Sequence, residues 1–273
     1  MSITKRDLML LTGAAAILGQ SIGAPARSTE STPAVNHDMS NVPPSWMGSE
    51  KIAFLAYPKF TALDLVGPYH MLGNLMGAKT FIVAKTREPV ASDMGLTVVP
   101  AMSLAECAAD IDIICVPGGS DGTLAAMEDP EIIGFLRDRG ARAKYVTSVC
   151  TGSLVLAAAG LLKGYKATSH WVARDVLKDF GAEPVDERVV FDRNRVTGAG
   201  VTAGLDMSLA LVGKLRDQKY AEAVQLLAEY APAPPFNSGT PHTAAKENVD
   251  MMSAMFVDFV AKAKDIAKKT SEN

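Results

Sequence analysis

The chain has 273 residues, 48% of them apolar and 21% charged, with a formal net charge of −3. That length suits one large α/β domain with a sizeable core, and the ordinary apolar and charged fractions exclude a disordered chain or a membrane bundle. With a slight acidic excess and no basic cluster beyond the C-terminal "AKAKDIAKK", no nucleic-acid partner is expected.

The opening "MSITKRDLMLLTGAAAILGQSIGAPARS" reads as an export signal over residues 1–26. Lys5-Arg6 forms a basic start, Leu8 to Leu18 an apolar run, and Ala24-Pro25-Ala26 a small-residue cleavage site. The run falls short of the roughly 20 apolar residues that span a bilayer. "TKRDLMLL" resembles a twin-arginine signal with Lys in the first basic place, so the expected location is the periplasm, with no membrane association after cleavage. The alternative is an uncleaved arm on a cytoplasmic protein. Residues 27–50, rich in Ser, Thr, Pro and Asn, read as a flexible linker.

"KIAFLAY", Lys51 to Tyr57, is a short apolar run stopped by Pro58 and reads as a first buried strand. A helix from Asp64 or Leu65 to about Met76 follows, then the strand "KTFIVAK", then a polar turn around Arg87 to Asp93. The strand "IDIICVPGG" ends in a glycine pair. A helix from Pro130 to about Arg142 leads into the strand "KYVTSV", which stops at Cys150. After Gly160 come "LLKGYKATSHW", a helix to Phe180, a hairpin through "ERVVFDRNRVTG" with its turn near Asp192 to Asn194, and helices from Thr202 to about Leu215 and from Lys219 to near Glu229. "YAPAPPFNSGTP" holds too many prolines for a helix. Ala244 to about Lys268 reads as one C-terminal helix within residues 242–273, with Val249, Met252, Met255, Phe256 and Phe259 in a stripe for core packing or a partner helix. Strands alternating with helices predict a mostly parallel sheet with helices on both faces. Ligands of such sheets bind beyond the carboxyl ends of the strands, where Asp64, Gly118-Gly119 and Cys150 all fall.

The three cysteines, Cys107, Cys115 and Cys150, are an odd number without CxxC spacing, which indicates neither a disulfide framework nor a zinc site. Cys115 lies inside an apolar strand and reads as structural. Cys150 stands at a strand-to-helix turn between Ser148 and Gly152, the small neighbours that a nucleophile elbow requires. A helix N-terminus there would lower the thiol pKa from about 8.5. The amides of Gly119 and Thr151 are candidate oxyanion-hole donors. Asp64, at a helix start, can be an N-cap or a proton-handling carboxylate.

"FLAYPKFTALDLVGPYHML", "VPGG", "SVCTGSLVLAAAGLLKG", "ATSHW", "VTGAGVTAGLDMSLALV" and "YAPAPPFNSGTP" together resemble, in order, the DJ-1/PfpI superfamily, and within it the isonitrile (isocyanide) hydratases. The resemblance runs from about Lys51 to Pro241. It implies a flavodoxin-like, class I glutamine amidotransferase-like α/β fold, a homodimer, and a cysteine nucleophile that uses no metal or cofactor. Proteases and glutaminases of the wider superfamily often place histidine directly after the cysteine; Thr151 stands there instead. That departure matches the hydratases, and the resemblance gives Cys150, Asp64 and Thr151 as the catalytic group, with Thr151 holding Asp64 or a water. The implied reaction is a lyase reaction, addition of water to a small isonitrile to give an N-substituted formamide. His170, after "KATS", is either catalytic, as the resemblance to DJ-1 suggests, or a supporting residue. Trp171 and Phe236 are candidate pocket or dimer-contact residues, with core packing the alternative. His37 and His242 carry no signal.

Two other functions share these motifs. One is a glyoxalase or deglycase acting on small reactive carbonyls. The other is the ligand-sensing half of an AraC-type regulator, which would carry about a hundred further residues of helix-turn-helix; only residues 242–273 follow Pro241, so that reading is not expected.

Overall fold

The computed structural model describes residues 42–271. The export signal and residues 27–41 of the linker lie outside the described residues. Residues 42–50 are packed rather than free, a correction to the linker expected there. Pro44–Trp46 forms a turn of 3-10 helix, and the Trp46 ring stands edge-on to Tyr220 at 4.9 Å. Arg216 Nε donates to Trp46 O at 2.7 Å, while its two terminal nitrogens clasp the Glu50 carboxylate at 2.7 and 2.8 Å. An indole with an apolar face to bury and a glutamate with a guanidinium to meet tie this segment down.

In chain order the elements are β1 (Lys51–Leu55), α1 (Ala62–Gly73), β2 (Lys79–Ala84), β3 (Val90–Ala91), β4 (Thr97–Val98), β5 (Met102–Ser103), β6 (Ile113–Val116), α2 (Asp121–Glu128), α3 (Pro130–Gly140), β7 (Tyr145–Val149) and α4 (Gly152–Ala158). There follow β8 (Lys166–Ala167), a 3-10 helix (Arg174–Phe180), β9 (Glu183–Pro184), β10 (Val189–Asp192), β11 (Arg195–Gly198), α5 (Ala203–Leu215), α6 (Gln218–Leu227), α7 (Lys246–Met255) and α8 (Val257–Ser271). Seven strands form one sheet in the order β10-β11-β7-β6-β1-β2-β5. All its pairings are parallel except the β10–β11 hairpin.

The central strands read as they must for a sheet covered on both sides: all of β6 is buried, and so is β7 after Tyr145. One group of helices, α1, α5 and α6, packs together, and a second, α2, α3, α4 and α8, forms another. The register places Cys115 opposite Thr147, Val116 opposite Ser148 and Gly198 opposite Val149. The loops after β1, β6, β7 and β11 therefore leave the sheet side by side at its carboxyl end.

Several elements differ from the expectations. The polar turn near Arg87 to Asp93 contains β3, which pairs with β4. The helix expected to Phe180 is 3-10, and α2 was not anticipated; its "DGTLAAME" is too short and too weakly apolar to stand out from a loop. The single C-terminal helix is two, parted at Phe256, whose ring turns toward His170 and Phe259. In α8 the buried Phe259, Ala263, Ile266 and Ala267 follow helical spacing, against the 3-10 helix, α2 and α4. In α7 no residue is buried, and Met255 of the expected stripe is exposed.

Candidate active site

Cys150 follows β7 directly and adopts φ 58°, the left-handed region, which a β-carbon-bearing residue enters only when its surroundings force it. Those surroundings are explicit. Its N–H donates to Ala199 O at 2.7 Å and Gly198 O at 3.1 Å. Its carbonyl accepts from the hydroxyls of Ser169 at 3.0 Å and Ser153 at 3.2 Å. The chain then enters α4 at Gly152, where an added Cβ would lie 2.6 Å from Pro117 O and closer still to Val116 O. Glycine at that position lets the elbow close against the end of β6.

The loop after β6 faces the elbow. Gly118 N–H donates to Asp64 Oδ2 at 2.9 Å, and a Cβ on Gly118 would sit 2.7 Å from Thr151 N and 2.9 Å from that same oxygen. Asp64 is 2% exposed, and its other oxygen, Oδ1, is buried without a hydrogen-bond partner. It lies in the first turn of α1 but is not the cap, which is Thr61. Burial drives the Asp64 pKa up from 3.8 to about 7, partly opposed by the Gly118 amide and by a hydrogen bond with the Cys150 thiol.

Cys150 does not have the lowered pKa expected of an elbow thiol. Burial, followed by the Asp64 charge, pushes it well above the ordinary thiol value, while the amides of Thr151 and Val201, both hydrogen-bonded to the sulfur, pull it down. The pair therefore holds at least one proton at neutral pH. The acid that can release it is Asp64, and the group that can receive it back is the same carboxylate. Cys115, buried in β6 with its sulfur accepting from Thr147 Oγ1 at 3.0 Å, is pushed up to about 12.

Of the two amides expected to serve an oxyanion hole, only that of Thr151 lies at the sulfur. The Thr151 amide reaches the sulfur region, but the Gly119 N–H is taken by Thr151 Oγ1 at 3.0 Å, and the second amide at the sulfur is that of Val201. Nor does the Thr151 hydroxyl hold Asp64. It donates to Gly119 O at 2.7 Å and meets Thr123 Oγ1 at 2.8 Å. The glycine-containing "AGVTAG" after β11 gave no hint that Val201 would supply an amide; Tyr57, Thr123, Ser153 and Ser169 were likewise missed, because isolated hydroxyls carry no spacing signal.

His170 directly follows Ser169, whose hydroxyl donates to the Cys150 carbonyl. A Cβ on Gly200 would be 3.2 Å from its ring, and Phe256 and Trp171 stand about 6 Å away. Burial depresses its pKa, so the ring is neutral at pH 7. With Trp171, Arg174, Val201 and His242 it lines a cavity of about 410 Å³. Phe236 is 80% exposed. The sequence-predicted residues thus fall in two sets: Asp64, Gly119, Cys150 and Thr151 in one hydrogen-bonded cluster, His170 and Trp171 at the neighbouring cavity.

The model of the DJ-1/PfpI family matches residues 50–214. The chain belongs to the DJ-1/PfpI family. It is 49% identical over 200 residues to isonitrile hydratase of Pseudomonas putida, covering 73% of this chain and 87% of that enzyme. The crystal structure of a ThiJ/PfpI family protein from Pseudomonas syringae superposes with a TM-score of 0.81 at 55% identity, covering 88% of this chain and 98% of that one. The HTH-type transcriptional regulator GbdR of Pseudomonas aeruginosa is 31% identical over 198 residues, but they make up only 53% of the regulator. Proteins with different named functions are thus similar to this domain, and the choice among them rests on the site.

Proposed function

We propose that the protein is an isonitrile hydratase-like enzyme in which Cys150 is the nucleophile and Asp64 carries the proton in both halves of the reaction. The observation that carries this reading is the buried contact of the two groups: a carboxyl titrating near 7 beside a thiol whose own pKa is pushed up. A free thiolate nucleophile would not need such a neighbour; a thiol that must give up its proton as it attacks does.

The chemistry balances on these residues. The sulfur attacks the terminal carbon of R–N≡C, forming the S–C bond, and the thiol proton passes through Asp64 to that carbon, giving the thioimidate R–N=CH–S–Cys150. Water then adds to the carbon, one of its protons passing through Asp64 to nitrogen. Collapse forms the C=O bond, breaks the C–S bond and returns the remaining proton to sulfur, releasing R–NH–CHO. The amides of Thr151 and Val201 stabilise charge on sulfur as it attacks and as it leaves. The identity to isonitrile hydratase over most of both chains supports the same reaction.

The test is product formation from a panel of small and bulky isonitriles, with methylglyoxal run in parallel. N-formamide appearing in the wild type and not in Cys150→Ala supports the reading. No formamide from any isonitrile, with rapid loss of methylglyoxal, would transfer the assignment to a glyoxalase.

A further inference from the structure

The turn Pro117–Gly119 presents Asp64 with the one hydrogen-bond donor its carboxylate receives from the backbone, yet two of its three residues are glycines with no side chains to fix them. Every hydrogen-bonding group of the turn is nevertheless committed. Tyr57 Oη donates to Pro117 O at 2.6 Å. Gly118 O accepts from Thr61 N at 2.8 Å. Gly119 uses both its N–H and its carbonyl on Thr151 Oγ1.

A hydroxyl has one proton. Thr151 spends its proton on Gly119 O, so in the 2.8 Å contact with Thr123 the donor is Thr123. The Tyr57 proton is likewise committed to Pro117 O, and its remaining contact, to Thr123 Oγ1, is long at 3.4 Å. Tyr57 and Thr123 are 2% and 0% exposed, so water cannot replace either hydroxyl.

We propose that Tyr57 and Thr123 are positioning residues whose buried hydroxyls clamp the Pro117–Gly119 turn, Tyr57 directly and Thr123 through Thr151, so that the Gly118 N–H stays aimed at the Asp64 carboxylate. Neither residue touches the sulfur or the carboxylate by hydrogen bond. Loosening the clamp removes a donor that favours the ionised carboxylate, so Asp64 holds its proton more tightly. The titratable groups that face Asp64 are Cys150, Asp93 and Tyr57; Asp93 accepts from Thr61 Oγ1 at 2.8 Å, and Lys59 at the rim is paired with Asp121. None of these charges is altered by changing Thr123.

The inference rests on the pairing of Asp64 with Cys150 used above, but its test follows the carboxyl and not turnover. The protonated carboxyl band of Asp64 is titrated by difference infrared spectroscopy on the full chain and identified by its loss in Asp64→Asn. In Thr123→Val the midpoint should rise by roughly half a pH unit or more, about threefold in proton affinity, while Thr123→Ser, which keeps the hydroxyl, should titrate as wild type. Tyr57→Phe should shift the midpoint in the same direction, and carries the test if Thr123→Val does not fold. A midpoint that stays put in Thr123→Val or Tyr57→Phe, or one that moves as far in Thr123→Ser as in Thr123→Val, overturns the clamp. Normal shifts with no formamide from any isonitrile would overturn the proposed reaction and leave the clamp standing.

Discussion

Replacing Asp64 by asparagine should remove part of the stability that the wild type loses as pH rises, in a way that only a buried, titrating carboxyl can produce. The carboxyl is 2% exposed, and burial moves its pKa from 3.8 to about 7. Between these values the folded chain carries a proton on Asp64 that the unfolded chain has lost. The folded state therefore binds more protons, and unfolding free energy falls as pH rises through this window, levelling off above pH 7. From pH 5 to pH 8 the wild type should lose roughly 3 kcal/mol by this route, at about 1.4 kcal/mol per pH unit over the two units between 5 and 7. Asparagine stays neutral and its carbonyl can still accept from Gly118. Its amide nitrogen, at the place of the partnerless Oδ1, costs stability equally at both pH values and drops out of the comparison. Urea unfolding of both proteins at pH 5 and pH 8 measures the change. A difference between variant and wild type that is the same at both pH values would refute a raised Asp64 pKa, and with it the proton-carrying role.

Cys150→Ala should abolish turnover and leave the circular dichroism and melting profile of a folded protein, whereas Cys107→Ala and Cys115→Ala should retain most activity in the same formamide assay. Gly152→Ala forces a Cβ against the carbonyls of Val116 and Pro117, neither of which is a flexible side chain; overpacking of about 1–3 kcal/mol should lower the calorimetric midpoint by roughly 2–12 °C. Arg216→Met strands the Glu50 carboxylate, whose partner side chain is only 2% exposed, and should cost about 3–5 kcal/mol in urea unfolding. Glu50→Gln should reduce the loss of stability on acidification, because pairing with Arg216 holds the Glu50 pKa below its ordinary value and that contribution disappears as pH falls through it.

The parallel sheet was legible because its strands are continuous apolar runs stopped by glycine, proline or Cys150, and because helical spacing recurs between them. The elbow was legible for a related reason, since Ser148 and Gly152 are local to Cys150 and their small size has a local meaning. What escaped is non-local. The raised thiol pKa depends on Asp64, 86 positions away in sequence, and on depth of burial, neither of which spacing encodes; a reading based on the helix start alone gave the opposite direction. Thr151 follows Cys150 in the chain, but its hydroxyl turns toward Gly119 and Thr123 instead of Asp64, because the turn after β6 offers it both an amide and a carbonyl. The split of the last helix at Phe256 was hidden because its apolar spacing continues across the break, while the ring answers to His170 and Phe259.

The proposed reaction requires the isonitrile carbon to become bonded to Cys150. Mixing the protein with a small isonitrile, quenching in acid at successive times and weighing the Cys150 peptide by mass spectrometry tests it directly. That peptide should gain, transiently, the mass of the isonitrile, decaying as N-formamide appears, with neither adduct nor product in Cys150→Ala. Formamide produced at an undiminished rate by Cys150→Ala, or an adduct confined to Cys107 or Cys115, would contradict it.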